Sequence, residues 1–203
     1  MFKRIIILCS VFFLSLTSVV AEKSPEAEAF VMDVSNQVIE ILKLTNAQEK
    51  EDEFRVLLNN KANLKRIAAF TLGKYRRQLS PTELQEFQFL FETMITKVYA
   101  NRLGSYKDQK IVVLGSEKKK KDYLVETELL FNDGSNPIVI VWRLRQEKDG
   151  RITLFDLRVL GVWMALEQRE TFLSILKNNN ENFSVLLDNL RQQISAGPTV
   201  TSD

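Results

Sequence analysis

Residues 126–143, Glu126-Thr127-Glu128-Leu129-Leu130-Phe131-Asn132-Asp133-Gly134-Ser135-Asn136-Pro137-Ile138-Val139-Ile140-Val141-Trp142-Arg143, hold two apolar runs on either side of a turn-forming cluster. Asn132 to Pro137 are residue types that favour turns and stop strand pairing. The flanking runs are β-branched and aromatic and change side every second residue, so they read as an antiparallel hairpin. If Asn132 and Pro137 flank the turn, Phe131 meets Ile138, Leu129 meets Ile140 and Thr127 meets Trp142, with Glu126 facing Arg143 on the other side.

The same period continues outward. Between Ile111 and Leu160 four such segments follow one another, separated by Lys118–Lys121, by the 132–137 cluster and by Lys148-Asp149-Gly150. Connections this short imply an antiparallel meander. Phe155, Leu157 and Val159 fall on the face of Leu129, Ile140 and Trp142, which makes one side of the sheet almost wholly apolar. A two-residue turn at Asp149-Gly150 also sets Arg143 opposite Asp156. A guanidinium between Glu126 and Asp156 reads as outer-face cross-strand chemistry with no catalytic implication.

Before the strands the period is helical. Ser24 precedes Pro25, and Ala27, Val31, Val34, Val38 and Ile41 make one apolar face. Asn46 and Glu49 start a second helix, and a third spans about Asn60 to Phe70. Ser80-Pro81-Thr82-Glu83 is a capping box with proline at the first helical position, and it opens a long helix to about Leu103. Leu84, Phe87, Phe91, Met94 and Val98 form its stripe, widened by Leu90, Ile95 and Tyr99. Two helices, about Val162–Leu176 and Phe183–Ile194, follow the strands. The fold expected is α+β, with helices packed on one face of a curved four-stranded antiparallel sheet in the order α-α-α-α-β-β-β-β-α-α.

Residues 1–21 read as a cleaved secretory leader. Lys3 and Arg4 precede an apolar stretch from Ile5 to Val20, shorter than the roughly 18 residues of a membrane span, and Val19-Val20-Ala21 supplies small residues for cleavage. A single domain is then expected over 22–196, with a frayed polar tail at 197–203. Losing Lys3 and Arg4 from the 28 basic residues brings them level with the 26 acidic ones.

The chain has no histidine, and its one cysteine, Cys9, leaves with the leader. That removes disulfides, a thiolate nucleophile, the usual general base and the common zinc ligands. The 7 glycines are scattered and form no phosphate-cradling loop. No metal or cofactor is expected, and a mature chain of zero net charge argues against nucleic acid as a partner. Two Ser-x-x-Lys tetrads, Ser116–Lys119 and Ser174–Lys177, lack the partners and the buried helix start that a serine hydrolase needs. Glu49, Glu51, Asp52 and Glu53 sit on a solvated helix start. Catalysis therefore finds little support. Two basic groups stand out: Lys118, Lys119, Lys120 and Lys121 at a hairpin tip, and Lys61, Lys65, Arg66, Lys74, Arg76 and Arg77 on two helices and a loop. Each is a solvated face or a contact for acidic partners and phosphate groups.

Two blocks carry a resemblance. Ile67-Ala68-Ala69-Phe70-Thr71-Leu72-Gly73-Lys74-Tyr75-Arg76-Arg77 runs into Ser80-Pro81 and Phe87, then Tyr99-Ala100-Asn101-Arg102-Leu103 and Tyr106. Later come Phe155-Asp156-Leu157-Arg158-Val159-Leu160-Gly161-Val162, Gln168-Arg169 and Phe172. Together they resemble the MlaC (toluene-tolerance) family of periplasmic phospholipid-binding proteins over most of the mature chain. Trp163 stands where a small polar residue is expected, and Arg76 where an aromatic is common, so the mouth of any pocket departs from its relatives.

The resemblance implies a periplasmic shuttle that carries phospholipid between an outer-membrane lipoprotein complex and an inner-membrane ABC transporter complex with its substrate-binding ring. It implies a cavity between the sheet face bearing Val125, Leu129, Ile140, Trp142, Leu157 and Val159 and the helix residues Phe87, Phe91, Met94 and Val98. Leu72 and Val162 would add to its lining, and Tyr75 or Arg77 would meet the phosphate at the mouth. Lys74, Arg76 and Lys118 to Lys121 would dock the partner complexes. Composition alone leaves open a periplasmic adaptor with a filled core, or a carrier of another lipid such as a hopanoid.

Overall fold

Each of the first four helices opens on a side chain that satisfies its free N–H groups. Ser24 Oγ accepts from the amide of Ala27 at the start of α1 (Pro25–Lys43). Asn46 does the same for α2 (Ala47–Lys61) and Asn63 for α3 (Leu64–Leu72). At α4 (Pro81–Arg102) the expected capping box is formed: Glu83 Oε2 accepts from the Ser80 amide at 2.8 Å, and Ser80 Oγ accepts from the Glu83 amide at 3.3 Å. Between α3 and α4, Gly73 adopts φ +54° and starts a 3-10 turn, Gly73–Arg77. The positive φ is what calls for glycine; a Cβ there would also stand 3.0 Å from the Arg169 guanidinium, which would have to shift slightly. This computed structural model describes residues 23–102 and 109–196. The expected leader at 1–21, Leu103 and Tyr106 of the first block, and the expected tail lie outside the described residues.

The strands are β1 (Lys110–Lys119), β2 (Asp122–Leu130), β3 (Ile138–Gln146), β4 (Ile152–Val159) and β5 (Val162–Trp163), paired antiparallel in sequence order. Five strands stand where four were expected. The pair Leu160-Gly161, with φ values of +49° and +84°, makes a two-residue turn that folds Val162 back onto Val159. Helices α5 (Met164–Asn178) and α6 (Phe183–Ala196) follow.

Register corrects the four pairs expected between β2 and β3. Leu129 pairs with Ile138, Thr127 with Ile140 and Val125 with Trp142, a slide of two residues from the expected pairing. The slide keeps every side chain on its face, because the strand period is two, but it moves Glu126 opposite Val141 and puts Leu124 opposite Arg143. Arg143 does face Asp156, as expected. Immediately beyond that pair, Leu144 faces Leu154, so β4 carries a bulge with Phe155 as the extra residue. Phe155 therefore leaves the apolar face and points to the other side, where it meets the Phe70 ring edge-on at 5.3 Å.

Helices consequently cover both sides of the sheet, not one. Ala27, Val31 and Val34 of α1 pack on Tyr123, Val125, Trp142 and Leu144, while α3 approaches the opposite face through Phe70. The long helix α4 does not lie on the apolar sheet face. Its Phe87, Phe91 and Met94 enter a second core made of α3, α5, α6 and the 3-10 turn. A third cluster joins α1, α2 and α4 around Ile41, Phe54, Leu57 and Ala100.

Candidate functional site

The sheet face under α1 is a largely apolar wall. Register and alternation place Val113 of β1, Tyr123, Val125, Thr127 and Leu129 of β2, Ile138, Ile140, Trp142 and Leu144 of β3, and Leu154, Leu157 and Val159 of β4 on it. Thr127 is the one hydroxyl in the middle of this wall and is fully buried. It accepts from the Trp142 indole N–H at 3.0 Å and donates to the Ile140 carbonyl at 3.3 Å. The Thr127 hydroxyl and the Trp142 indole thus satisfy each other and the backbone. A ligand lying along it meets hydrocarbon and aromatic surface and needs no hydrogen-bonding groups.

Cover over this face is uneven. Val125 and Leu144 are fully buried beneath α1, whereas Ile138, Ile140, Leu157 and Val159 are half-buried toward the other end. Beyond that end Val162 is exposed, and Leu160 is 76 % exposed at the tip of the β4–β5 turn. Six of the sequence-predicted residues, Val125, Leu129, Ile140, Trp142, Leu157 and Val159, are thus brought together on one wall. Tyr123, Leu144 and Leu154 share it although the sequence reading did not single them out; strict alternation from Val125 and Trp142 points to the first two.

The helical half of the predicted cavity is placed elsewhere. Phe87 stacks with Phe91 at 5.9 Å and meets Phe172 edge-on at 5.6 Å, and Phe183 approaches it at 6.0 Å. Leu72, Phe87, Phe91 and Met94 are at most 2 % exposed in this core, and Val98 packs at its edge. These side chains fill one another's space rather than facing the sheet wall. Tyr75 is buried, and its hydroxyl bonds Glu181 Oε1 at 3.1 Å. Lys74 pairs with Glu181 at 3.6 Å and lies over the Tyr75 ring. Arg76 and Arg77 are exposed.

Lys118 to Lys121 are exposed at the β1–β2 turn, with Lys120 at φ +58° and Lys119 paired to Glu117. Ser116 of the first Ser-x-x-Lys tetrad accepts from the Ser24 amide and donates to Glu28, both at 2.7 Å, so it serves the start of α1. Among the described residues no group of histidine, cysteine or acidic side chains could hold a metal, and no helix is long and apolar enough to cross a membrane.

The polar face of the sheet is ordered by carboxylates. Asp122 receives Arg145 Nε and Arg143 Nε, each at 2.7 Å. Burial raises the Asp122 pKa, but hydrogen bonds from Arg145 and Arg143 and their charges prevail, so its carboxyl is held below the ordinary value. Glu147 is likewise held down: burial opposes ionisation, and bonds from Thr153 and Asn63 with the Arg66 charge outweigh it. Asp156 goes the other way. Burial dominates the bonds it accepts from Ala165 and Leu157 and the Arg143 charge, and its pKa rises. Its Oδ1 accepts the Ala165 amide at 2.8 Å, which caps α5 from β4 in place of a local side chain.

A family model described as MlaC protein matches residues 32–192. The chain is 24% identical over 193 residues to the intermembrane phospholipid transport system binding protein MlaC of Haemophilus influenzae, covering 90% of this chain and 88% of that protein. It is similar in structure to the phospholipid-binding protein of Ralstonia solanacearum, which was solved in complex with a phospholipid. The TM-score is 0.72 at 18% identity, over 84% of this chain and 97% of the other.

Proposed function

This chain belongs to the MlaC family, and we propose that it is a phospholipid-binding transport protein of the periplasm. In this reading it carries lipid between an outer-membrane lipoprotein complex and the substrate-binding ring of an inner-membrane ABC transporter complex. The observation that carries the reading is the largely apolar sheet wall, on which the central Thr127 hydroxyl is already engaged with Trp142 and the Ile140 carbonyl. A lipid with two acyl chains exposes roughly thirty methylenes, each worth about 0.8 kcal/mol when buried. Transit through water therefore needs a carrier with comparable apolar surface. The family's H. influenzae relative and the phospholipid complex of the R. solanacearum protein support the same ligand class.

The acyl chains lie along Leu129, Ile140, Trp142, Leu157 and Val159, where cover by α1 is thinnest, with Val125 at the inner end and Val162 at the rim. Leu72, Phe87, Phe91, Met94 and Val98 stay in their own filled core and take no part in holding the chains. The work done is uptake and release, with no bond made or broken. Docking to either complex is brief and runs through local charge, from Lys74 and from Lys118 to Lys121, because a carrier must leave after each delivery. The predicted leader delivers the chain across the inner membrane. Native mass spectrometry of protein purified from a periplasm tests the reading: a protein-plus-phospholipid mass is expected. A homogeneous apo mass, with no lipid in a solvent extract, would overturn it.

A further inference from the structure

On the side of the sheet away from the apolar wall, residues of α3, the 3-10 turn, α4 and strands β3 and β4 line an open surface pocket of ≈ 450 Å³. Every charged side chain that lines it is a cation: Lys65, Arg66, Arg76 and Arg145. The remainder is Ala69, Gln88 and the rings of Phe70 and Phe155.

Two of these cations are fixed in place. Arg145 is held by Asp122 and lies 4.6 Å over the Phe155 ring. Arg66 is held by Glu147 at 2.6 Å. The carboxylates do not neutralise the group, because Asp122 is shared with Arg143. Lys65 and Arg76 are different: neither has an ion pair or a side-chain hydrogen bond among the described residues.

The local sequence makes this a costly arrangement. Lys65 and Arg66 occupy the first turn of α3, which contains no acidic residue. The positive end of a helix disfavours cations and favours anions, so these two residues oppose the dipole where a glutamate would support it. Arg66 is compensated by its pair with Glu147, but Lys65 gains no partner among the described residues, and a local preference overridden without such a gain is where a functional demand is expected. Here two anchored guanidiniums and two cations without partners among the described residues converge on one pocket with an aromatic floor.

We propose that this pocket binds a phosphate monoester, with the phosphate between Lys65, Arg76, Arg66 and Arg145 and its organic part against Phe70 and Phe155. Guanidiniums bind phosphate oxygens as a fork, and ammonium adds a mobile point charge. The volume lies within the usual range for small-ligand pockets, with room for more than the phosphate itself. The sheet separates this pocket from the apolar wall, so the site does not depend on the lipid reading. The phosphate can belong to a free metabolite or to the head group of a lipid in a membrane.

The test uses the full mature protein and the double variant Lys65→Gln/Arg76→Gln, whose native side chains are exposed and have no partner among the described residues, with circular dichroism to verify folding. sn-Glycerol 3-phosphate, with glycerol as the neutral control, is titrated while backbone amide shifts in α3 are followed. Sedimentation with phosphatidic acid vesicles and with phosphatidylcholine vesicles is run in parallel. Saturable binding of either phosphate probe by the native chain, at least about ten-fold weaker in the double variant, is expected from the loss of two charge-assisted contacts. A response to glycerol 3-phosphate alone assigns the site to free metabolites, and a variant-sensitive response to phosphatidic acid vesicles assigns it to head groups. The proposal is overturned if neither probe saturates, or if the folded double variant binds as the native chain does. Bound-lipid content of the purified protein is measured in both; its loss from native and variant alike would tell against the carrier reading and leave this site standing.

Discussion

Replacing Val159 by tryptophan and, separately, Met94 by tryptophan distinguishes a lipid wall from a filled core. Val159 is half-buried opposite Ile140 on the apolar face. An indole there takes space from an acyl chain without displacing a packed neighbour. If it excludes four methylenes at about 0.8 kcal/mol each, lipid binding weakens by about 3 kcal/mol, roughly a hundred-fold. Folding stability should change by less than about 1 kcal/mol, because the indole enters space that the lipid otherwise fills. Met94 is 2 % exposed in the core that holds the Phe87, Phe91 and Phe172 rings. Extra bulk there should cost about 1–3 kcal/mol of stability and leave the lipid content of the folded protein unchanged. Native mass spectrometry and phosphorus per mole of protein read the lipid, and urea unfolding followed by circular dichroism reads stability. Lipid retained in Val159→Trp and lost in folded Met94→Trp would refute the placement of the acyl chains on the sheet.

Four further outcomes follow from single contacts. Thr127→Val strands the buried Trp142 indole N–H and should cost about 1–3 kcal/mol, whereas Thr127→Val with Trp142→Phe should cost less than the two single changes summed; additivity in urea unfolding would count against the bond. Asp156→Ala leaves the start of α5 uncapped and should lose about 1–2 kcal/mol, while Asp156→Asn keeps an acceptor and should change thermal stability much less; equal losses would remove the capping role. Acid should weaken the fold through Asp122 and Glu147: their folded pKa values lie below the ordinary 3.8 and 4.5, so the stability they contribute is complete above pH 4.5 and fades as pH falls through their lowered values. The double variant Asp122→Asn/Glu147→Gln should show a flatter acid limb in melting temperature against pH, and an unchanged limb would contradict the linkage. Leu160 holds φ +49° at an exposed tip, where asparagine is the better fit, so Leu160→Asn should raise stability by about 1 kcal/mol, a gain that thermal unfolding either records or denies.

Much of this architecture is written in periodicity, and its limits are those of periodicity. The strand windows and their apolar face are legible because a slide of two residues, as between β2 and β3, leaves each side chain where it was. Pairs are not legible in the same way, and Glu126 was lost as a partner of Arg143 for that reason. The bulge at Phe155 has no local signature, since Phe155-Asp156-Leu157 alternates as an unbroken strand would. The bulge in β1, where Leu114 is the extra residue, does have one in Gly115, a residue that weakens strands and marks irregularities. Strand β5 is not legible, because leucine is a poor residue for the first position of the two-residue turn that Leu160-Gly161 forms. Helix α4 was misplaced because an apolar surface tells that a helix is buried, not what buries it. The cationic pocket was half visible: Lys65, Arg66 and Arg76 stood out as a basic cluster, but Arg145 and Phe155 reach it only through the strand register.

One extra residue in β4 gives the sheet two faces of opposite chemistry. The bulge lets Leu154 and Leu157, three residues apart, both join the wall with Leu144 and Trp142. Between them Phe155 and Asp156 fall together on the other side. There Phe155 supports the guanidiniums of Arg143 and Arg145, and Asp156 reaches the first turn of α5. An unbulged strand would send Phe155 into the apolar wall and remove the aromatic floor from beneath the arginines. The apolar wall and the pocket of cations are therefore two sides of the same strand, set by one local irregularity. Side chains on either face can vary without disturbing the other, provided the bulge is kept.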